Sequence, residues 1–194
     1  MFVLGLTGSI GMGKSTTAEI FRRLGIAVHD SDATVHALYR GEAAPLVEAA
    51  FPGTVRNGCV DRKLLAAHVL ADPDAIKRLE TIVHPLVRAS RAAFIDEARA
   101  RGDRIVVVDI PLLYETKAEA DVDAVLLVTA PEAVQKERIA AREGMTPQKL
   151  AAILAKQMPD AEKRRRADFI LDTSKGLTEA ERQISQLLDR LDGR

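Results

Sequence analysis

An eight-residue, glycine-rich segment near the amino end constrains the fold of this chain more than any other feature. Residues 8–15 read Gly-Ser-Ile-Gly-Met-Gly-Lys-Ser, which fits the phosphate-binding pattern G-x-x-x-x-G-K-[ST]. An apolar run over residues 2–7 comes directly before it, and a helical pattern extends from residue 14 to about 24. Because such a loop binds phosphate where a strand leads into a helix, this context predicts an α/β domain with a nucleotide site.

Each residue type in the segment has a physical role at a triphosphate. Glycine reaches positive φ at little cost, so the loop can curl until its N–H groups converge on the β-phosphate. We expect Lys14 to reach the β- and γ-phosphates and the Ser15 hydroxyl to bind Mg²⁺. The alternative is a glycine-rich turn that binds nothing. The predicted ATP-binding residues are Gly8, Gly11, Met12, Gly13, Lys14, Ser15 and Thr16.

Strand and helix patterns alternate through the rest of the core. Predicted strands lie at 2–7, 26–29, 105–109, 122–128 and 168–172, with helical patterns between them. This alternation is typical of a mostly parallel sheet. Residues from about 31 to 102 form a predicted helical insertion, with a loop over 51–60 and a kink or break at His84-Pro85.

Further helix limits come from capping residues in the second half of the chain. Pro131 is typical of the first position of a helix, and that helix is predicted to end near Gly144. Thr146-Pro147 begins the next helix. Thr178 and Glu181 form a predicted capping box for the last one.

Composition narrows the class of protein. The 194 residues include 28 Lys and Arg against 28 Asp and Glu, and a zero net charge argues against a general nucleic-acid binder. Cys59 is the only cysteine, so no internal disulfide can form and a reducing compartment is expected. The amino end has neither a basic start nor a long apolar segment. We therefore predict a cytoplasmic protein with no membrane span, and no obligate protein partner is evident.

Three carboxylates follow predicted strands, at the sheet edge where ligands bind in open α/β folds. Asp109 ends an apolar strand, which favours a magnesium-binding role beside Ser15 over a turn-capping role. Asp30 and Asp32 follow the second strand. Either could accept the proton of an attacking hydroxyl, or cap the next helix, and Asp32 is slightly favoured as the base.

Basic residues in the second half of the chain suggest contacts with phosphate. Arg138 and Arg142 are four residues apart on one predicted helix, with Gln135 on the same face, so both could stabilise charge on a transferring phosphoryl group. A solvated basic face is an equal alternative. The run at 163–166 favours a solvated helix end over phosphate contacts, and the histidines show no metal-binding pattern.

Taken together, these residues resemble the dephospho-CoA kinase family over nearly the whole chain. The Asp-Ile-Pro-Leu-Leu-Tyr-Glu segment at 109–115 combined with His84-Pro85 is more specific than the phosphate-binding loop alone. The other similar segments and residues are residues 6–16, Asp30-Ser31-Asp32-Ala33, Asp61-Arg62, Leu65, Leu86, Gln135, Arg138, Arg142, Gln157 and Ala167-Asp168-Phe169-Ile170.

The resemblance implies ATP-dependent phosphorylation of the ribose 3′-hydroxyl of dephospho-CoA, the last step of coenzyme A synthesis. It implies one P-loop kinase-type domain over residues 1–194, a three-layer α/β fold with a five-stranded parallel sheet. It also implies an acceptor-binding insertion over about 31–102 and a lid over about 140–163. The implied catalytic residues are Lys14, Asp32, Arg138 and Arg142, the acceptor-site residues Thr7, Asp32, Arg62, His84 and Pro85, and the magnesium ligands Ser15 and Asp109.

Two positions depart from the family pattern. Thr173 stands where the family often carries an Asn near the adenine, so selectivity among nucleoside triphosphates stays open. Ile153 stands where an Arg often precedes the Gln of the lid, so that phosphate contact is absent or comes from Lys156 or Lys163.

Three alternatives compete with this interpretation. A nucleotide or nucleoside kinase would share the loop, the lid and the acidic turn. A regulatory NTPase is the second, although the only Asn in the chain, Asn57, has no guanine-reading context. The third is a dinucleotide-binding oxidoreductase, which is disfavoured because Thr16 replaces the third glycine of that fingerprint.

Overall fold

The computed structural model describes residues 1–70 and 72–192. Its strands are β1 (Phe2–Thr7), β2 (Ala27–Asp30), β3 (Val55–Arg56), β4 (Cys59–Val60), β5 (Ile105–Asp109), β6 (Ala124–Thr129) and β7 (Phe169–Asp172). Its α-helices are α1 (Lys14–Arg23), α2 (Ser31–Leu38), α3 (Ala43–Ala50), α4 (Arg62–Val69), α5 (Pro73–Arg101), α6 (Glu132–Ala140), α7 (Pro147–Leu154), α8 (Asp160–Arg166) and α9 (Leu177–Asp192). A 3₁₀ helix spans Ala118–Asp121.

Five strands form one sheet in the order β2-β5-β1-β6-β7. The neighbours of β1 and β6 pair in parallel, for example Leu4 with Val107 and Leu126 with Phe169. Every residue of β5 and β6 is buried, as expected for parallel strands that are covered on both faces. The predicted α/β fold with a five-stranded parallel sheet is confirmed.

Contacts between residues divide the chain into two compact units. The first unit, residues 1–29 and 98–194, holds the sheet, and its core includes Leu4, Phe21, Leu126 and Ile184. The second unit, residues 30–97, has a core of its own. That core contains Ala43, Ala44, Val47, Phe51, Val60, Leu65, Val69 and Ala75.

The predicted loop over residues 51–60 is wrong in part, because it contains a small antiparallel hairpin. Strand β3 pairs with β4, with Val55 opposite Val60 and Arg56 opposite Cys59. Asn57 (φ 51°) and Gly58 (φ 76°) make the two-residue turn. Two residues of positive φ suit the right-handed twist of a tight hairpin, which the Asn-Gly pair itself could have indicated.

The break predicted as one of two outcomes at His84-Pro85 does not occur, because α5 continues through Pro85 as one 29-residue helix. Proline removes one N–H donor, so the helix continues with one backbone hydrogen bond fewer at this position.

The capping box predicted for α9 is wrong. This helix already begins at Leu177, so Thr178 lies inside it rather than before it.

The helix predicted to reach Gly144 ends earlier, at Ala140. Beyond it the backbone tightens, since the N–H of Arg142 donates to the carbonyl of Ile139 and Gly144 has φ 70°. Arg142 therefore does not share a helix with Arg138, contrary to the prediction.

Among the described residues, no helix is both long and apolar enough to cross a bilayer.

Candidate functional site

The glycine-rich loop has the backbone conformation that an anion-binding loop requires. Gly11 has φ 79° and Gly13 has φ 91°, in the region that glycine reaches most cheaply. At Gly8 the constraint is space, because an added Cβ would lie 2.7 Å from the carbonyl oxygen of Val128. The loop then leads into α1 at Lys14, so its N–H groups coincide with the positive end of that helix.

Lys14 and Asp109 meet beside this loop. The Lys14 ammonium lies 2.5 Å from Oδ1 of Asp109, and the carboxylate is 3% exposed. The parallel pairing of β1 with β5 explains the meeting, because the loop follows β1 and Asp109 is the last residue of β5. Ser15 and Thr16 are exposed at the start of α1. The structure therefore places Asp109 beside Lys14, the residue directly before Ser15.

Two glutamines hold the peptide groups of Ile10 inside the loop. The side-chain amide of Gln135 on α6 donates to the Ile10 carbonyl at 2.7 Å. The Ile10 N–H in turn donates to Oε1 of Gln157, which lies just beyond α7, at 3.2 Å. The loop is thus connected to two segments that are 125 and 147 residues away in sequence.

Arg138 is directed at Thr173 rather than at open solvent. One guanidinium nitrogen donates to the Thr173 hydroxyl and the other to the Thr173 carbonyl, both at 2.8 Å. The same hydroxyl lies 2.8 Å from the Met12 carbonyl in the glycine-rich loop. Arg142 is exposed beyond the end of α6. Arg138 is therefore connected to the glycine-rich loop through Thr173.

Three residues of the basic run at 163–166 form ion pairs, and one of these three, Lys163, lies inside the protein. Lys163 is fully buried, and its ammonium lies 3.0 Å from Oε1 of Glu115 as an ion pair rather than an aligned hydrogen bond. Glu115 also accepts the N–H of Met158 at 2.6 Å. The expectation of a solvated helix end is wrong for Lys163. Sequence spacing could not reveal this burial, because the partner is 48 positions away.

A buried tyrosine lies next to this pair. The guanidinium of Arg166 stacks 4.5 Å from the ring centre of Tyr114, and it also donates to Glu119 at 2.5 Å. Burial raises the pKa of Tyr114 to about 12 despite the nearby positive charge. The 110–119 segment and α8 are therefore joined by charged and aromatic contacts.

The second unit has its own candidate site around α2 and α4. A cavity of about 410 Å³ is lined by charged and polar side chains, Asp32, His36 and Arg62, above apolar ones that include Leu65 and Val69. One guanidinium nitrogen of Arg62 lies 3.1 Å from Nε2 of His36. Such a cavity offers one carboxylate, one guanidinium and apolar walls to a small molecule.

The two carboxylates at the start of α2 have different environments. Asp30 is the N-cap, and its side chain accepts the N–H of Ala33 at 2.9 Å. Asp32 lies in the first turn, is exposed and lines the cavity. This difference favours Asp32 over Asp30 as the base, because the Asp30 side chain already caps the helix.

The remaining predicted acceptor-site residues do not line that cavity. His84 and Pro85 are exposed on α5. Thr7 is fully buried in the sheet-bearing unit, where its hydroxyl lies 3.3 Å from the Pro111 carbonyl. Asp32 and Arg62 are therefore the two that one cavity brings together.

Comparison with known proteins identifies the family of this chain. The family model described as dephospho-CoA kinase matches residues 2–179. This chain belongs to the dephospho-CoA kinase family. A relative from Rhodopseudomonas palustris strain HaA2, named dephospho-CoA kinase, is 61% identical over 97% of this chain and 95% of its own length.

Two solved structures are similar to this member of the dephospho-CoA kinase family over nearly its whole length. The crystal structure of TT1252 from Thermus thermophilus is 35% identical, with a TM-score of 0.83 over 96% of this chain and 95% of that one. Dephospho-CoA kinase from Campylobacter jejuni is 25% identical, with a TM-score of 0.74 over 97% and 96%. The family predicted from the sequence is confirmed.

The two departures from the dephospho-CoA kinase pattern have distinct structural settings. Thr173 contacts the glycine-rich loop and Arg138, as described above. Ile153 is half-buried on α7, and Lys156, three residues later, is exposed. Since Lys163 is buried against Glu115, Lys156 is the more accessible of the two candidate replacements for the missing arginine.

Proposed function

We propose that this chain transfers the γ-phosphoryl group of ATP to the ribose 3′-hydroxyl of dephospho-CoA, giving coenzyme A and ADP. Membership of the dephospho-CoA kinase family carries the reaction, because the family model spans residues 2–179. The glycine-rich loop supports it physically, with its glycines at positive φ and Lys14 beside Asp109. Family membership also argues against the regulatory and oxidoreductase alternatives.

The sheet-bearing unit binds the phosphoryl donor in this proposal. Loop N–H groups from Gly11 to Thr16 hold the β-phosphate, and Lys14 contacts the β- and γ-phosphates. During transfer, the bond between the γ-phosphorus and the bridging oxygen breaks, and its electron pair leaves with ADP. Lys14 and the arginines screen the negative charge on the phosphoryl oxygens, with Arg142 as the more accessible arginine.

The residues of this unit fit a magnesium ion. Magnesium prefers oxygen ligands and usually keeps phosphate oxygens and water among them. Asp109 supplies a carboxylate and Ser15 a hydroxyl. No group of three or more His, Cys, Asp or Glu side chains suited to a metal occurs in the described ranges. When bound, magnesium would neutralise phosphate charge.

The second unit binds the acceptor in this proposal. Asp32 accepts the proton of the 3′-hydroxyl as its oxygen attacks the γ-phosphorus, and Arg62 binds an anionic part of dephospho-CoA. The apolar walls formed by Leu65 and Val69 suit the less polar portion. Thr7, His84 and Pro85 remain proposed acceptor contacts on the family resemblance alone.

A lid over about residues 140–163 completes the proposed mechanism. Helix α7 has no buried residue, so little packing opposes its movement. Closing a lid excludes water, which would otherwise compete with the ribose hydroxyl for the phosphoryl group. We also propose a cytoplasmic location, because both substrates are small molecules and Cys59 is the only cysteine.

A coupled ADP-release assay with purified protein tests the function. We expect ADP release to require magnesium, ATP and dephospho-CoA together, and labelled phosphate to appear on the acceptor. Nucleoside monophosphates in place of dephospho-CoA test the remaining kinase alternative. Equal ADP release with and without any acceptor would contradict the proposal and favour a hydrolase.

A further inference from the structure

Thr173 occupies an unusual place for a small polar residue. It follows β7 directly and is 8% exposed. Its N–H donates to the Thr129 carbonyl at 3.0 Å, which extends the pairing of β6 with β7 by one residue. The backbone position of Thr173 is therefore fixed by the sheet.

The hydroxyl of Thr173 connects the glycine-rich loop with helix α6. It donates to the Met12 carbonyl at 2.8 Å and accepts from Arg138 at 2.8 Å. One O–H group can donate once while its oxygen accepts, so both hydrogen bonds can exist together. The second guanidinium nitrogen of Arg138 reaches the Thr173 carbonyl, so the guanidinium is held at two points.

The same side chain lies against the glycine-rich loop at Gly13. A Cβ added at Gly13 would lie 3.1 Å from the Thr173 hydroxyl oxygen and 3.2 Å from its methyl carbon. Gly13 has φ 91° and comes immediately before Lys14. Thr173 therefore packs against the residue that directly precedes Lys14.

We propose that Thr173 is a positioning residue for phosphoryl transfer, whose hydroxyl fixes the Met12–Gly13 segment and Arg138 to the end of the sheet. The inference rests on the proposed function, because it assumes that this loop binds ATP. The hydroxyl acts through the loop and through Arg138, and it touches neither substrate in this proposal. Hydrogen bonds to charged groups are strong, so their loss should weaken ATP binding measurably.

The test compares Thr173→Val with Thr173→Ser. Valine keeps the shape but removes the hydroxyl, whereas serine keeps the hydroxyl. We expect Thr173→Val to weaken the affinity for magnesium-ATP, measured by calorimetry without acceptor, by about tenfold or more. We expect kcat to fall as well, with the KM for dephospho-CoA unchanged, and Thr173→Ser to recover most of both losses.

Thr54→Val is the matched control for a purely structural effect. Thr54 is buried as Thr173 is, and its hydroxyl donates to a main-chain carbonyl, that of Phe51, at 2.7 Å. Both valine variants should lose similar thermal stability. Only Thr173→Val should lose ATP affinity.

A double-mutant cycle adds a second measurement that does not depend on the valine variant alone. If Thr173 acts partly through Arg138, then the difference in kcat between Thr173→Val and Thr173→Ser should be much smaller in an Arg138→Lys background. Full additivity, or equal ATP affinity for Thr173→Val and Thr54→Val, would overturn the inference. If the unmodified protein binds no ATP, the proposed function fails instead, so the two failures are distinguishable.

Discussion

At the scale of single residues, the most informative contrast is between Asp30 and Asp32. The two carboxylates are two positions apart, yet one caps α2 and the other lines the cavity of the second unit. A helix cap needs only a side-chain oxygen, whereas a general base needs a group that can take a proton. Substitution by asparagine therefore separates the two roles.

We predict that Asp32→Asn folds normally but lowers kcat by a factor of 100 or more, roughly the size of a general-base contribution. Asp30→Asn is the matched control, because asparagine caps a helix as well as aspartate does. Steady-state ADP release and circular dichroism check both variants. Near-normal turnover by Asp32→Asn would remove Asp32 from the role of base.

A second residue-scale prediction concerns Lys14. Because its ammonium lies beside Asp109 and next to the loop, we expect Lys14→Ala to lower kcat and kcat/KM for ATP together. The loss should reach roughly 100-fold or more, the usual cost of removing one preorganised electrostatic contact from a transition state. If only the KM for ATP rises, then Lys14 binds the ground state and does not assist transfer.

At the scale of elements, sequence patterns predicted the five strands of the large sheet but missed the β3–β4 hairpin and misplaced some helix limits. The apolar run at 105–109 and the glycine-rich loop predicted β5 and the start of α1 because each pattern is local. The β3–β4 hairpin was missed since two-residue strands carry no period, although Asn57-Gly58 was a signal. The proline at position 85 locally favours a kink or break, yet α5 continues through it.

The hairpin turn yields an element-scale prediction. Gly58 has φ 76° and open space where a Cβ would be, so Gly58→Ala should cost only backbone strain, about 1 kcal/mol. Gly41→Ala is the control, because φ of Gly41 is not positive and its added Cβ would make an ordinary contact 3.8 Å from the Ala37 carbonyl. Urea unfolding should show a loss of stability for the first variant and none for the second. Equal stabilities would contradict the strained turn.

At the scale of the whole molecule, the contacts that sequence could not predict join distant segments. Thr173 contacts Met12 across 161 positions, and Lys163 contacts Glu115 across 48. Such pairs form only when the sheet brings strand ends together, so a local pattern gives no sign of them. The location of the nucleotide loop was predictable from its own residues, whereas the residues that hold it in place were not.

The buried ion pair provides the prediction at this scale. Lys163→Met leaves Glu115 without its cation, and breaking a buried pair from one side typically costs about 3 kcal/mol or more. Adding Glu115→Gln removes the orphaned charge while keeping an acceptor for the Met158 N–H, so the double variant should recover part of that loss. Urea unfolding measures four proteins: the unmodified chain, Lys163→Met, Glu115→Gln and the double variant. Strict additivity of the two substitutions would show that the charges do not interact.

Lys136→Met serves as the control for the ion pair. Lys136 pairs with Glu132 on the exposed face of α6, where solvent screens the interaction. Its removal should leave the unfolding midpoint nearly unchanged. A loss equal to that of Lys163→Met would mean that burial is not the source of the effect.

The amide of Ile10 has a consequence for observing this enzyme at work. This N–H donates to Gln157, so it exchanges its hydrogen for solvent deuterium only when that hydrogen bond breaks. The uptake rate at this one peptide group would therefore follow every excursion of the neighbouring segment, with no label attached to the protein.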